Sequence, residues 1–355
     1  MNILFINSAR TWGGTEKWTL MAAESMAPEH RAFLAFRREL IGRRFTVPKF
    51  RLPFLNHIDP FTIPRIVQLV RKHNIDVIIP TKRKDYLIAG IVSRICGITC
   101  ILRLGIVRTP SGMWFHRLMY GALADGIIVN AMKIKESLLK ASYLKTQKIR
   151  VIYNGFDTST IDRQFPEGAI RKHQGFMVTS MGILTRRKGF DFLIRGFARF
   201  IELTGSPEAK LTIIGSGPES DNLKTLATEL GIADRLRMTG FLENPELLLA
   251  ESHVFAMVSQ NEGIANALLE GMYLGNAPIS TRAGGADEVI SDGINGLLVD
   301  YGNVEALAEA LKSLFQSPEL CQSISAKARQ RLIEQFSMKR MKNEVADFCR
   351  ELSKR

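Results

Sequence analysis

Short apolar runs recur along the whole chain, and longer stretches between them carry apolar residues at a spacing of three and four. The runs 3–6, 77–79, 98–102, 126–129 and 149–152 form one series; 177–181, 210–214, 235–239, 253–258, 277–280 and 296–299 form a second. The segments 16–27, 86–96, 132–141, 189–203, 219–230 and 303–315 have the helical period. Near-continuous apolar strands alternating with amphipathic helices predict parallel sheets covered on both faces. Two such series predict two doubly wound α/β domains. Residues 154–175 are turn-rich and lack a period, so the break falls there, giving domains 1–160 and 161–337. The helix predicted over 338–352 is followed by no strand, which sets 338–355 apart. No solenoid-length repeat or low-complexity tract interrupts this plan.

A chain of 355 residues can build two full cores, and 46% apolar with 23% charged residues is ordinary for a globular protein. No run approaches the roughly 18 apolar residues of a membrane span. The opening run 1–7 is too short for a signal peptide and reads as a first buried strand. Cys96, Cys100, Cys321 and Cys349 are scattered without a second pair at zinc spacing, which points to reduced thiols and a cytoplasmic location. Charge changes the picture more. Residues 1–160 hold 25 Lys and Arg against 10 Asp and Glu, and the rest of the chain holds 23 against 25. The basic excess therefore belongs to the first half. It implies an anionic partner there: a phosphorylated glycan, an anionic membrane surface or nucleic acid.

The residues that carry chemistry sit where runs give way to helices. Ser8–Glu16 joins the first run to the first helix through Gly13 and Gly14, which permit close approach of a ligand to backbone, or merely a βα turn. It is not G-x-G-x-x-G, which disfavours a nicotinamide enzyme. Gly182-Ile183-Leu184-Thr185-Arg186-Arg187-Lys188-Gly189 follows the first strand of the second series. Gly215-Ser216-Gly217-Pro218 and Gly240-Phe241-Leu242 follow the next two. Pro218 suits a first helical position. Glu262 and Glu270 lie eight positions apart, with Gly263, Ile264, Ala265 and Asn266 between a loop and an apolar helix, and Gly284-Gly285 and Glu288 downstream. A helix start offers unpaired N–H groups and positive dipole to a phosphate. Carboxylates on either side suit hydroxyls, so the pair fits a diphosphate flanked by hydroxyl groups. A lone Glu is usually a surface residue; two in this frame are harder to assign to the surface.

These motifs resemble the donor-site signature of glycosyltransferase family 4, whose retaining enzymes move a sugar from a nucleoside diphosphate to an acceptor hydroxyl. The resemblance spans nearly the full chain and is most specific between 182 and 288. It implies a GT-B fold: two Rossmann-like domains with a cleft between them, the first for acceptor and the second for donor, and a C-terminal helix crossing back to the first. By resemblance, Glu270 holds the ribose hydroxyls, Glu262 a hydroxyl of the donor sugar, and the amides of Ile264, Ala265 and Asn266 the diphosphate. Gly14 lies against the transferred sugar or its phosphate, and Gly182, Gly217 and Leu242 line the nucleotide. Lys188 matches the family's phosphate-binding Lys. Ile183 stands where the family usually has Arg, so Arg186 or Arg187 is expected to supply that cation. The catalytic set is then Glu262, Lys188 and Arg187. Ala265 replaces a Pro in a variant that is common among builders of lipopolysaccharide and polysaccharide. Asn154-Gly155-Phe156-Asp157 resembles the family's interdomain marker. Many relatives carry a His after the strand matching 98–102. Here no His occurs until His116, so Arg103 and Arg108, with Glu16, are the acceptor-side candidates.

The resemblance implies UDP as the commonest leaving group, with GDP or ADP possible, and no cofactor or metal. The acceptor would be an anionic glycan or glycolipid. Residues 43–54 and 108–117 mix aromatics with cations, as does the cluster at 82–84. They read either as core with solvated charges or as a face toward an anionic leaflet, in which case the protein is peripheral on the cytoplasmic side of a membrane. A GT-B enzyme that acts on nucleotide sugars without transfer, such as an epimerase, is the nearest alternative. A basic nucleic-acid-binding protein is more distant, because no stacking platform or recognition helix is present and the Glu pair has no role in it.

Overall fold

The computed structural model describes residues 1–56, 59–107, 110, 112–166, 170 and 172–353, for Thr160 the backbone alone. Contacts divide the chain into two compact units. The first is Met1–Gly155 together with the segment from Met338 on, and the second is Phe156–Ser337. The first division falls before the 160 expected from the sequence. Phe156 belongs to the second unit because its amide donates to Phe336 O at 2.7 Å and it bridges to Ser337.

The first unit is built on seven parallel strands: β1 (Asn2–Asn7), β2 (Arg31–Phe36), β3 (Lys49–Arg51), β4 (Val77–Pro80), β5 (Thr99–Leu104), β6 (Gly126–Val129) and β7 (Ile149–Val151), in the order β3-β2-β1-β4-β5-β6-β7. Ile3 stands level with Ala32 on one side and Val77 on the other. Side chains on both faces of β1 are buried, which is why its sequence is apolar without alternation. The sequence reading has no strand at β2 or β3. β2 is an Ala- and Phe-containing run closed off by Arg31 and Arg37. β3 is a three-residue edge strand, and edges do not need continuous apolar character.

The helix Met338–Leu352 completes this unit. Met341, Val345, Phe348 and Cys349 recur at helical spacing and are buried in one core with Trp18 and Ala22 of the helix Gly14–Met26 and with Ile128 of β6. Contact is so close at Gly126 that a Cβ there would lie 2.4 Å from Leu352. Thr99 donates to the carbonyl of Leu352 at 3.0 Å.

The second unit holds six parallel strands: β8 (Met177–Met181), β9 (Lys210–Ile214), β10 (Leu236–Gly240), β11 (Val254–Met257), β12 (Ala277–Thr281) and β13 (Leu297–Val299), in the order β10-β9-β8-β11-β12-β13. Helices Phe190–Thr204 and Val304–Gln316 pack closely at Gly196, where a Cβ would meet Leu307 at 2.5 Å. In both units the chain reverses its direction of spread at one point, between β1 and β4 and between β8 and β11. In open parallel sheets that switch point, at the carboxyl edge, is where ligands bind. Among the described residues no helix is long and apolar enough to cross a membrane.

Replacing Phe348 by Ala should lower the unfolding free energy by about 3–5 kcal/mol, because a large fully buried ring leaves a cavity in the first unit. Denaturant unfolding measures this; an unchanged midpoint would mean the C-terminal helix is not part of that core.

Candidate functional site

At the switch point of the second unit, two loops are stitched together by backbone and charge. The loop after β8 makes one 3-10 turn over Arg186–Lys188 and closes at Gly189, whose φ is 69°. A Cβ on Gly189 would lie 2.2 Å from Val258 O, so only glycine lets this turn touch the loop after β11. The amide of Gln260 donates to Arg187 O at 2.9 Å. Glu262 follows and is buried, with 9% of its surface exposed. One of its oxygens, Oε1, takes the Arg187 guanidinium at 2.6 Å and the Lys188 ammonium at 2.7 Å. Arg187 also donates to Asn261 O at 2.5 Å. Burial pushes the Glu262 carboxyl up, and Lys188 and Arg187 more than offset that, holding it below the ordinary value.

The two arginines of the turn therefore separate. Arg187 turns into the site, while Arg186 is 86% exposed and reaches Glu219 at 3.4 Å. Ile183 is partly exposed at the start of the same loop.

Beyond Glu262 the chain enters the helix Asn266–Tyr273 through Ala265, whose backbone is extended (φ −82°, ψ 134°). Glu262, Gly263, Ile264, Asn266 and Glu270 are all buried, and Glu270 lies one turn inside the helix. The Lys188 stem crosses Gly182, where a Cβ would stand 3.2 Å from its Cε. Gly217 has a different occupation. A Cβ there would lie 2.4 Å from Leu184 O, so that loop packs against the backbone of the Lys188 loop. Gly284 (φ 65°) backs directly on the Glu262 carbonyl, leaving no room for any side chain. Leu242 is half-buried after β10, beside an exposed Phe241.

The first unit carries a second charged cluster at its own switch point. Glu16, in the first turn of the helix after β1, is buried and pairs with Lys82 Nζ at 2.5 Å, just after β4. Asn7 at the end of β1 donates its side-chain amide to Glu16 at 3.3 Å and to Thr81 at 3.0 Å. A Cβ at Gly14 would meet nothing within 4 Å among the described residues, so local packing does not require glycine there.

Arg103 is turned inward. It is buried at the end of β5, its guanidinium lies 4.7 Å from the Trp18 ring centroid, and Nη2 donates to Asn154 at 3.3 Å. Burial pulls its pKa down to about 10. Its Nε is buried without a hydrogen-bond partner among the described residues. Arg108 lies outside the described residues.

Sequence reading passed over Asp85. Its carboxylate is buried in the first turn of the helix Arg83–Cys96 and accepts the amide of Ser8 at 2.9 Å, pinning the loop that carries Gly13 and Gly14. A lone acid three residues into a helix after an apolar strand was the available signal. Among the described residues no cluster of three or more His, Cys, Asp or Glu is placed to hold a metal ion.

Two family models match this chain: Glycosyltransferase Family 4 over residues 13–160 and Glycosyl transferases group 1 over 162–331. The chain is 33% identical over 221 residues to the lipopolysaccharide core biosynthesis glycosyltransferase LpsE of Rhizobium meliloti, a match spanning 62% of this chain and 63% of that protein. It is 28% identical over 285 residues to the N-acetylgalactosamine-N,N'-diacetylbacillosaminyl-diphospho-undecaprenol 4-alpha-N-acetylgalactosaminyltransferase of Campylobacter jejuni, covering 77% of this chain and 76% of that one. Among solved structures, Anabaena HepE in complex with UDP-glucose superposes with a TM-score of 0.83 at 21% identity, over 99% of this chain and 100% of that one. That likeness shows the fold, which is the GT-B arrangement of two Rossmann-like domains.

Burial raises the Asp85 pKa from 3.8 to about 6, and the hydrogen bonds from Ser8 with nearby Lys84 and Lys82 offset only part of it. Between those two values the folded chain keeps a proton that the unfolded chain has released, so stability falls as pH rises through the window and levels off above it. Asp85→Asn keeps an acceptor for Ser8 and removes the slope. The variant's melting temperature should gain on the parent's as pH rises from about 4 to 6.5; a difference independent of pH would show that Asp85 titrates normally.

Proposed function

The chain belongs to glycosyltransferase family 4, and from that premise we propose that it transfers a sugar, with retention of configuration, from a nucleoside diphosphate to a hydroxyl of a glycan or glycolipid acceptor. UDP is the first candidate for the nucleotide, since the HepE structure holds UDP-glucose. Lipopolysaccharide or polysaccharide assembly is the setting, because one relative is named for lipopolysaccharide core biosynthesis and another for transfer to a diphospho-undecaprenol-linked sugar.

The observation that carries this reading is the pair of cations converging on Glu262 beside a helix start. Breaking the bond between the sugar and its diphosphate leaves negative charge on the leaving oxygens, and preorganised cations and amides are what lower that barrier. Lys188 and Arg187 fill the role, with Arg187 in place of the cation missing at Ile183. The amides of Ile264, Ala265 and Asn266 add helix-start donors. Glu270 serves the ribose hydroxyls, and Glu262 a hydroxyl of the sugar once the phosphate has drawn its cations away. Protein cations stand in for a metal on this reading. Glu16, held by Lys82 and Asn7, is the acceptor-side carboxylate, and Gly14 leaves space for the transferred sugar.

Thermal stabilisation by UDP, GDP, ADP and their sugars in the presence of EDTA tests the donor site, since a ligand that binds only the folded chain raises its melting temperature. One nucleotide should shift it in the parent, and none should in Glu270→Ala. No shift with any nucleotide would remove the reading's basis. Within the turn, Arg187→Ala should lower kcat by roughly 10²–10³-fold, the usual cost of one lost charge-stabilising donor. Arg186→Ala should stay within a few-fold of the parent. Equal losses would return the role to both.

A further inference from the structure

A helix leaves its last carbonyls without intrahelical partners, and each needs another donor when it is buried. At the end of the helix Asn266–Tyr273, amides just beyond it supply three. Leu274 N donates to Glu270 O at 3.1 Å, Asn276 N to Gly271 O at 3.0 Å and Gly275 N to Met272 O at 3.2 Å. The next two carbonyls, of Tyr273 and Leu274, go to cations from elsewhere in the second unit. Arg329 Nε donates to Tyr273 O at 3.1 Å, with its guanidinium 4.7 Å from the Tyr273 ring centroid. Lys172 Nζ donates to Leu274 O at 3.0 Å.

Lys172 reaches further than that one carbonyl. Its ammonium also donates to Ser252 O at 2.6 Å and to Asn276 Oδ1 at 2.8 Å. Ser252 closes the helix Glu246–Glu251, and Leu274 closes Asn266–Tyr273. One ammonium thus sits at the negative ends of two helices, its three N–H groups matched to three neutral oxygens on fully buried residues. Burial lowers its pKa to about 8, with Cys321 pulling the other way. The groups around it do not titrate with it. Burial raises the Cys321 thiol, and burial with Lys172 and His173 lowers His253 to about 4. The exposed His173 takes the Gly175 amide on Nδ1 at 3.0 Å. As a neutral amine, Lys172 would have two N–H groups for the same three oxygens and would strand one of them.

The other end of Asn266–Tyr273 opens on the candidate donor site. Sideways this helix is set by contact, since a Cβ on Gly271 would lie 2.6 Å from the Phe255 ring. Along its axis, the grip on Tyr273 and Leu274 sets how far Asn266 and Glu270 reach into the site. A positive charge at the far end also offsets the negative pole, leaving the N-terminal pole to act on a phosphate. We propose that Lys172 is a positioning residue of the donor site: as an ammonium it anchors the C-terminal end of Asn266–Tyr273 and so holds the Glu270 carboxylate and the amides of Ile264, Ala265 and Asn266 where a nucleoside diphosphate meets them. The role rests on the transferase reading for its ligand. It makes donor affinity depend on a proton held at the opposite end of the helix from the phosphate.

The test is calorimetric titration of the full chain with UDP, or with GDP or ADP where one of those gives the melting shift. From about pH 7 to about pH 9 the parent should lose about tenfold in affinity relative to Lys172→Arg, whose guanidinium stays charged throughout. Comparison at each pH removes the nucleotide's own titration. Lys172→Met keeps the length without the charge, and should bind about tenfold or more weakly at about pH 7 with no step above it. The parent alone gives a further readout. By linkage, nucleotide binding near pH 8 should take up protons, seen as a binding heat that varies with the buffer's ionisation enthalpy. Lys172→Met binding as tightly as the parent, however much lower it melts, overturns the role, and so does parent binding without proton uptake. A parent that binds none of the three nucleotides overturns the transferase reading and this role with it. A parent that binds one of them without proton uptake overturns the role alone.

Discussion

A single carboxylate oxygen of Glu262, shared by Arg187 at 2.6 Å and Lys188 at 2.7 Å, holds the second unit's site together. None of the three charges would stay where it is alone. A buried carboxylate without partners is expensive, and two cations brought to one point repel. Breaking such a buried pair typically costs about 3–5 kcal/mol. On the proposed reading the cluster is a preassembled phosphate site in which Glu262 offsets one of the two positive charges before ligand arrives. Ligand binding would then be an exchange in which an incoming diphosphate takes the cations and Glu262 is released to accept a hydroxyl.

The fold supplies this arrangement through topology and a few glycines. The switch point sets the ends of β8 and β11 side by side, so that Lys188 and Glu262, far apart in sequence, meet. Gly189 and Gly284 let the surrounding backbone close on Val258 and Glu262 without a side chain between. The first unit repeats the solution with other residues. Glu16 follows β1, Lys82 follows β4, and they pair at that unit's own switch point. In each unit the strand order decides which two loops meet, and one Glu–Lys pair fixes them.

Much of this was legible in the sequence, for identifiable reasons. Strands buried on both faces spell themselves out as apolar runs, which is why β8 and β9 match their predicted bounds and the two-domain α/β plan with them. β2 and β3 escaped because short or edge strands need no such run. Lys188 and Glu262 stood out because glycines frame them. Which arginine joins them was not legible. Neighbours in a tight turn point in different directions, and only the geometry sends Arg187 inward and Arg186 to solvent. Nor was the packing of Arg103 legible: the Trp18 ring and Asn154 hold it inside at the end of β5. Asp85 was passed over since its one mark, a lone acid just inside a helix that follows an apolar strand, is shared by many surface acids.

The account turns on Glu262 being the internal competitor for the diphosphate's cations, and the most direct measurement is the calorimetric affinity of UDP, without sugar, for the parent and for Glu262→Gln. Glutamine keeps the shape and removes the charge, so the account predicts that the variant binds UDP more tightly than the parent while losing sugar transfer. UDP binding that is weaker in the variant, or unchanged, would contradict it: Arg187 and Lys188 would then not be held in reserve by Glu262, and the site would have to be assembled by the ligand.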